Sequence, residues 1–132
     1  MPLRKIETEQ APKAIGPYSQ AISIPLESQL IFVSGQLPID PKTNQLVEGN
    51  IVVLTRQVLD NIEAILKKAG SSFDRVVRVE VFLKHLERDF SSMNTEYAKR
   101  FTSATPPARQ TVEVSELPKG SIIEISCMAI TG

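Results

Sequence analysis

Apolar residues recur along this chain of 132 residues at two spacings, one typical of helices and one typical of strands. Between Ile51 and Ala69 they return every three or four positions, which predicts an amphipathic helix. Asn50 precedes this run and Gly70 follows it, as residues at an N-cap and just beyond a helix end commonly do. A second helix is predicted from Phe90 to Phe101, before a proline pair that cannot continue a helix.

Five further segments have the composition or the alternation of strands. The first two are separated only by Pro25–Ser28, which predicts a hairpin. Strands and helices follow in the order β-β-α-β-α-β-β, so that each helix connects two strands. Both helices are therefore expected to pack on one face of a single sheet, in an α+β fold that residues 1–132 form as one domain. The predicted strands are Ala21–Ile24, Gln29–Leu37, Arg75–Lys84, Arg109–Val114 and Ile122–Ile130.

The last two strands are expected to form a hairpin whose register follows from its apolar side chains. With Thr111 opposite Glu124, the apolar residues of both strands share one face, and Cys127 lies among them. A slip of one residue would bring Glu124 onto that face, so the first register is preferred. Arg109 and Glu124 are then diagonal neighbours on the other face, with backbones roughly 7–8 Å apart. The polar residues predicted to share this second face are Arg109, Thr111, Glu113, Glu124 and Ser126.

The second face is also expected to carry large apolar side chains. Two helices on the opposite side leave it uncovered in a single subunit, and an uncovered face of this mixed kind usually marks an interface. The pattern therefore predicts a homo-oligomer that buries this sheet face, with pockets between its subunits. The apolar residues assigned to the face are Val76, Phe82, Ile122, Met128 and Ile130.

The composition predicts a soluble globular protein, with 42% hydrophobic and 23% charged residues. Fifteen basic and fifteen acidic residues cancel, which argues against a protein that holds nucleic acid through its net charge. No stretch resembles a signal peptide or approaches the roughly 20 apolar residues of a membrane span, so a cytoplasmic protein is expected. With Cys127 and His85 as the single cysteine and histidine, neither a disulfide nor a Cys/His metal site is expected.

Two interpretations of Arg109 and Glu124 remain open on the residues alone. They could form an exposed cross-strand ion pair, worth about 0–1 kcal/mol. Alternatively, the guanidinium could grip a substrate carboxylate with two hydrogen bonds while Glu124 positions a water. Gly35 has a similar pair of interpretations, a strand-end bulge or a backbone N–H offered to an anion. Cys127 is interpreted as an inert buried thiol.

Four motifs at consistent spacing resemble the RidA/YjgF family of imine deaminases, over nearly the whole chain. They are APKAIGPYSQA (11–21), FVSGQLPIDPKTNQLV (32–47), MNTEYAKRF (93–101) and PPARQTVEVSELPKGSIIEISCMAI (106–130). The resemblance implies a fold like that of the trimeric chorismate mutases, a mixed sheet with two helices on one face. It implies a homotrimer with clefts between subunits, which hydrolyses 2-imino acids and their enamine tautomers to 2-oxo acids and ammonia. It implies no metal and no cofactor.

The resemblance also implies roles for individual residues. Arg109 in the PAR motif matches the arginine that binds the substrate carboxylate, and Glu124 in IIEIS matches the acidic residue that holds the water. Gly35, after Ser34, matches a backbone contact in the same cleft. Tyr18 matches a tyrosine that closes the pocket from the neighbouring subunit.

Two further positions match the family less closely. Asn94 matches a polar position on the second helix. Thr111 stands where many members have cysteine, so a thiol cannot act there, and Cys127 is expected to face away. Some relatives are described as endoribonucleases that inhibit translation, so RNA cleavage remains an alternative function. Binding of small carboxylates without catalysis is a third.

Overall fold

The computed structural model describes residues 3–131 and has an α+β architecture, as expected. Two helices connect strands of a mixed sheet. The helices are α1 (Ile51–Lys68) and α2 (Leu86–Ala98). The strands are β1 (Arg4–Ile6), β2 (Ala21–Ser23), β3 (Leu30–Gln36), β4 (Ile39–Asp40), β5 (Gln45–Leu46), β6 (Val76–Leu83), β7 (Ala108–Glu113) and β8 (Ile123–Ile130).

Four of these strands form the main sheet, in the order β3-β8-β6-β7. The β6–β7 pair is parallel, whereas β3–β8 and β6–β8 are antiparallel. Two short ladders lie outside this sheet, β1 with β2 and β4 with β5. The predicted hairpin across Pro25–Ser28 is therefore wrong, because β2 pairs with a strand at residues 4–6 that the sequence pattern did not reveal.

The caps of α1 confirm the first predicted helix. The Asn50 side chain accepts a hydrogen bond from the Val53 amide at 3.1 Å, and Gly70 adopts the left-handed backbone conformation, φ +80°, that follows many helix ends. Helix α2, in contrast, begins at Leu86 rather than Phe90. The Leu86 amide donates to the carboxylate of Glu113 at 3.0 Å, so a residue of β7 caps this helix from a distance in sequence.

The hydrophobic core lies between the helices and one face of the main sheet. Cys127 is buried in it, as predicted, and burial raises the pKa of its thiol to about 12. Two residues assigned to the open face instead lie in or against the core: Val76, where a register shift turns β6, and Ile122. Ile130 is buried but lies outside the core cluster, two residues after Met128 on the same face of β8. Phe82 and Met128 are half-buried on the open face, and Phe32 is 70% exposed there.

The predicted pairing of the last two strands is wrong. Strand β6 lies between β7 and β8, so β7 and β8 share no hydrogen bonds. The connection between them crosses over the intervening strand instead of turning back as a hairpin. The alternation within each strand was interpreted correctly, but the faces of the two strands were matched as if they were direct neighbours.

Candidate active site

Arg109 and Glu124 lie on opposite faces of the main sheet. Val79 aligns with Arg109 on one side and Cys127 on the other, and both Val79 and Cys127 are buried in the core. Arg109 therefore projects from the helix side of the sheet. Glu124 aligns with Phe82, between two core isoleucines, and projects from the open side. The expected diagonal contact between Arg109 and Glu124 does not exist within one chain.

Aromatic rings and an amide surround the Arg109 guanidinium. Its Nη1 donates a hydrogen bond to Oδ1 of Asn94 at 2.6 Å. The guanidinium carbon is 4.8 Å from the ring centre of Tyr97, and 5.9 Å from those of Tyr18 and Phe90. These contacts are cation–π interactions, which hold a cation without neutralising it.

The charge of Arg109 has no acidic counterpart in the described part of the chain. None of the salt bridges within residues 3–131 includes it. Burial lowers the pKa of Arg109, and the nearby Tyr97 and Tyr18 partly offset this effect. A guanidinium stays protonated despite such a shift, so the site presents a half-buried positive charge.

The proline pair before Arg109 holds the loop that carries Tyr18. The Ser19 hydroxyl donates to the carbonyl of Pro106, and the Ser19 amide donates to that of Pro107 at 3.2 Å. Ser19 is 2% exposed, so these bonds are sheltered from water. They fix the loop that carries Tyr18 beside the start of β7, one residue before Arg109.

Tyr18 is also held within its own loop. Its hydroxyl accepts a hydrogen bond from the Ile15 amide at 3.2 Å. Gly16 has φ +123°, a conformation that other residues rarely adopt, and a Cβ atom there would lie 3.7 Å from the Tyr18 ring and 3.9 Å from Nη2 of Arg109. Tyr18 thus contacts Arg109 of its own chain, whereas the resemblance implied a contribution from the neighbouring subunit.

Thr111 follows Arg109 on the same face and aligns with Val81 of β6. Its hydroxyl oxygen is buried and has no hydrogen-bond partner within residues 3–131. Thr111 therefore belongs to the Arg109 side of the sheet and is separated from Glu124 by β6.

A second group of candidate residues meets on the open face. Gly35 lies where β3 shifts register against β8, between Val33 and Gln36. A Cβ atom at Gly35 would be 2.6 Å from Oε2 of Glu124, so the carboxylate lies directly over the glycine. The exposed Ser34 adjoins this pair, and its carbonyl accepts a hydrogen bond from the Gln36 side chain at 3.2 Å.

The structure thus divides the predicted residues into two clusters. The guanidinium cluster consists of Tyr18, Phe90, Asn94, Tyr97 and Arg109. The carboxylate cluster consists of Ser34, Gly35 and Glu124. The sequence predicted only that Phe90 and Tyr97 belong to the second helix. Their spacing could not distinguish rings that pack in the core from rings that contact a cation.

A cavity borders the guanidinium cluster at Tyr18. It has a volume of about 810 Å³ and is lined by the N-terminal segment together with Gly16, Tyr18 and Pro106. A smaller one of about 240 Å³ lies on the open face, beside Phe32 and Met128. Neither a cluster of three potential metal-binding His, Cys, Asp or Glu side chains nor a helix able to cross a membrane is present within residues 3–131.

Residues 8–131 match the model of a family described as Endoribonuclease L-PSP. The chain belongs to this family, which is the RidA/YjgF family. The match covers both clusters and agrees with the motifs that indicated the resemblance.

Similar proteins carry several names. A RutC family protein of Sulfurisphaera tokodaii is 50% identical over 98% of this chain and 100% of its own length. The 2-iminobutanoate/2-iminopropanoate deaminase of Capra hircus is 46% identical over 98% of this chain and 90% of its own.

Solved structures of the family share the fold. The YjgF gene product of E. coli is 43% identical, with a TM-score of 0.72 over 96% of this chain and 98% of that one. The E. coli protein TdcF, solved with bound serine, is 37% identical, with a TM-score of 0.74 over 98% of this chain and 99% of that one.

Proposed function

We propose that this protein hydrolyses 2-imino acids, such as 2-iminobutanoate and 2-iminopropanoate, to 2-oxo acids and ammonia. The observation that carries the proposal is the half-buried guanidinium of Arg109, which lacks an acidic partner within residues 3–131. Such a charge is suited to a small anionic acid. The name of the Capra hircus relative and the serine bound to TdcF support the same class of ligand.

Arg109 binds the substrate carboxylate in this proposal. Its hydrogen bond to Asn94 fixes the orientation of the guanidinium, and its remaining N–H groups can form a paired, charge-assisted contact. Tyr18 covers this contact from the loop. Thr111, on the same face, contributes a hydroxyl where many family members have a thiol, so no thiol chemistry is part of the mechanism.

Glu124 activates water in this proposal. Its carboxylate accepts a proton as the water oxygen bonds to the imine carbon, and the C=N π electrons move to nitrogen. The proton then passes to nitrogen, which gives a carbinolamine. Glu124 next takes the remaining hydroxyl proton and delivers it to nitrogen, so the C–N bond breaks and ammonia leaves as the C=O bond forms. The backbone of Gly35, directly beneath Glu124, adds a contact for the substrate.

A homotrimer would supply both clusters to one substrate molecule. Within a chain the sheet separates Arg109 from Glu124, so one subunit cannot present both groups to a small acid. The exposed Phe32 on the open face gives a neighbouring subunit an apolar surface to cover. Each site would then combine the guanidinium cluster of one subunit with the carboxylate cluster of another.

The test is hydrolysis of 2-iminobutanoate generated by a threonine dehydratase. The wild type should accelerate the release of ammonia and 2-oxobutanoate beyond the spontaneous rate. Arg109→Lys should lose most of this activity, because one ammonium cannot reproduce the planar fork of donors. Equal rates with and without the wild-type protein would refute the enzymatic proposal.

Endoribonuclease activity is the second candidate, because the matching family is described by that name. The chain has no net charge, and its only histidine, His85, is an exposed residue before α2. Incubation with a single-stranded RNA separates the alternatives. Cleavage without imine hydrolysis would support the nuclease, and binding of a 2-oxo acid with neither activity would indicate a carboxylate-binding protein.

The cytoplasmic location stays a prediction.

A further inference from the structure

The ring of Tyr97 is the aromatic group nearest to the Arg109 charge. Its centre is 4.8 Å from the guanidinium carbon, against 5.9 Å for each of the other two rings. Attraction between a cation and the face of a ring strengthens at short range and away from water. Tyr97 is fully buried, so this contact is more sheltered than those of Tyr18 and Phe90, which are partly exposed.

A stack of aromatic rings fixes the orientation of Tyr97. Phe101 stacks on it with centres 4.2 Å apart and planes 17° from parallel. Phe73 in turn meets Phe101 edge-on at 4.9 Å. These rings belong to the hydrophobic core, so the face that Tyr97 offers to Arg109 is as rigid as the core itself.

The hydroxyl of Tyr97 does not hold the ring in place. It is buried and has no hydrogen-bond partner within residues 3–131. Burial also raises the pKa of Tyr97, which keeps the phenol neutral. A phenolate would neutralise Arg109, and a carboxylate in its place would occupy the donors that a substrate needs. A neutral ring face does neither.

We infer that Tyr97 is a positioning residue for Arg109, whose ring holds the guanidinium in place while its N–H groups stay available to a carboxylate. Asn94 engages one nitrogen of the guanidinium from the same helix, and Tyr97 lies one turn further along α2. Helix α2 thus holds the guanidinium in two ways, by a hydrogen bond to Asn94 and by the ring face of Tyr97. This inference rests on the proposed carboxylate-binding role of Arg109.

Three variants test the inference. Tyr97→Leu removes the ring, Tyr97→Phe keeps the ring and removes the hydroxyl, and Leu66→Ala removes a buried core side chain of α1 outside the stack of rings. Binding of 2-oxobutanoate is measured by calorimetry, and kcat and KM for 2-iminobutanoate by the coupled assay. Tyr97→Leu should weaken binding by about 2- to 30-fold and raise KM more than it lowers kcat.

The other two variants are controls. Tyr97→Phe should bind the acid like the wild type, with an unchanged or higher Tm, since it removes a buried hydroxyl without a partner. Leu66→Ala should lower Tm but leave binding unchanged. Equal losses of affinity in Tyr97→Leu and Leu66→Ala would overturn the inference, as would a Tyr97→Phe variant as weak as Tyr97→Leu.

A measurement without substrate separates this inference from the proposed function. In the NMR spectrum of the wild type, ring currents should shift the side-chain protons of Arg109 away from their values in an unfolded chain. Tyr97→Phe should retain that shift, and Tyr97→Leu should reduce it. If the shift is present but the wild type binds no 2-oxo acid, the proposed function fails while the contact stands. If the side-chain protons of Arg109 in the wild type show no such shift, the inference is overturned, even if Tyr97→Leu does not fold.

Discussion

The carboxylate of Glu124 occupies the space that a side chain at Gly35 would fill. A Cβ atom there would lie 2.6 Å from Oε2, 2.7 Å from Cδ and 3.0 Å from Cγ of Glu124. Gly35 does not have the positive φ that favours glycine, so other residues could adopt its backbone conformation. Space for the carboxylate, rather than backbone geometry, is the property that glycine supplies here.

Gly35→Ala should therefore displace the Glu124 carboxylate and lower kcat by about 10- to 100-fold, since small misplacements of catalytic groups are costly. The clash involves the end of a flexible side chain, so the fold should persist with little change in Tm. The measurement is a double-mutant cycle with Glu124→Ala. In the Glu124→Ala background, Gly35→Ala should have little further effect, and additive losses would contradict this relationship.

Asn94→Asp should weaken substrate binding, because it places a carboxylate 2.6 Å from a nitrogen of Arg109. This internal pair competes with the substrate acid, so KM should rise by about tenfold or more. The matched control is Thr95→Asp, which adds the same charge at the next residue of α2, an exposed position. Equal effects of the two variants would mean that net charge, rather than contact with Arg109, controls binding.

The stability of Asn94→Asp gives a second measure of the same contact. Arg109 should lower the pKa of the introduced carboxylate in the folded protein relative to the unfolded chain. Its contribution to stability should then be present above the ordinary aspartate pKa of about 3.9 and lost as pH falls below it. Thermal unfolding of this variant and of the wild type, at pH 7 and at more acidic pH, measures the difference.

Mixed oligomers should be more active than either parent. Arg109→Ala lacks the guanidinium and Glu124→Ala lacks the carboxylate, so each alone should retain only a small residual activity. If sites form between subunits, random co-assembly of equal amounts leaves both groups intact in about one site in four. Activity after joint unfolding and refolding checks this expectation, with separately refolded variants mixed afterwards as the control. No recovery in demonstrably mixed oligomers would contradict the shared site.

Glu113→Ala should destabilise the fold by about 0.5–2 kcal/mol, because it removes the group that accepts from the Leu86 amide at 3.0 Å. Glu113→Gln keeps an acceptor oxygen and should lose only the interaction of the charge with the helix dipole, about 0.3–1 kcal/mol. Urea denaturation measures both. The control is Glu116→Ala, an exposed acid near Lys84, which should change stability less than Glu113→Ala does.

Much of the local structure could be predicted from the sequence. Helical spacing and suitable caps defined α1 almost to the residue, because the signals that start and end this helix lie within its own sequence. Alternation defined the bounds of β6 within a residue at each end. The start of α2 was misplaced because its cap, Glu113, comes from a strand that follows it in the chain.

The sequence by itself determined the two helices, the central strands and, through motif resemblance, the residues to examine. Only the tertiary structure decided which residues meet. Alternation specifies the two faces of one strand but not which strand lies beside it. The insertion of β6 between β7 and β8 therefore could not be predicted from the sequence of β7 or of β8. The register through β6 places Arg109 on the helix side, whereas Glu124 lies on the open face as predicted, because neighbours in a sheet follow from packing over the whole core.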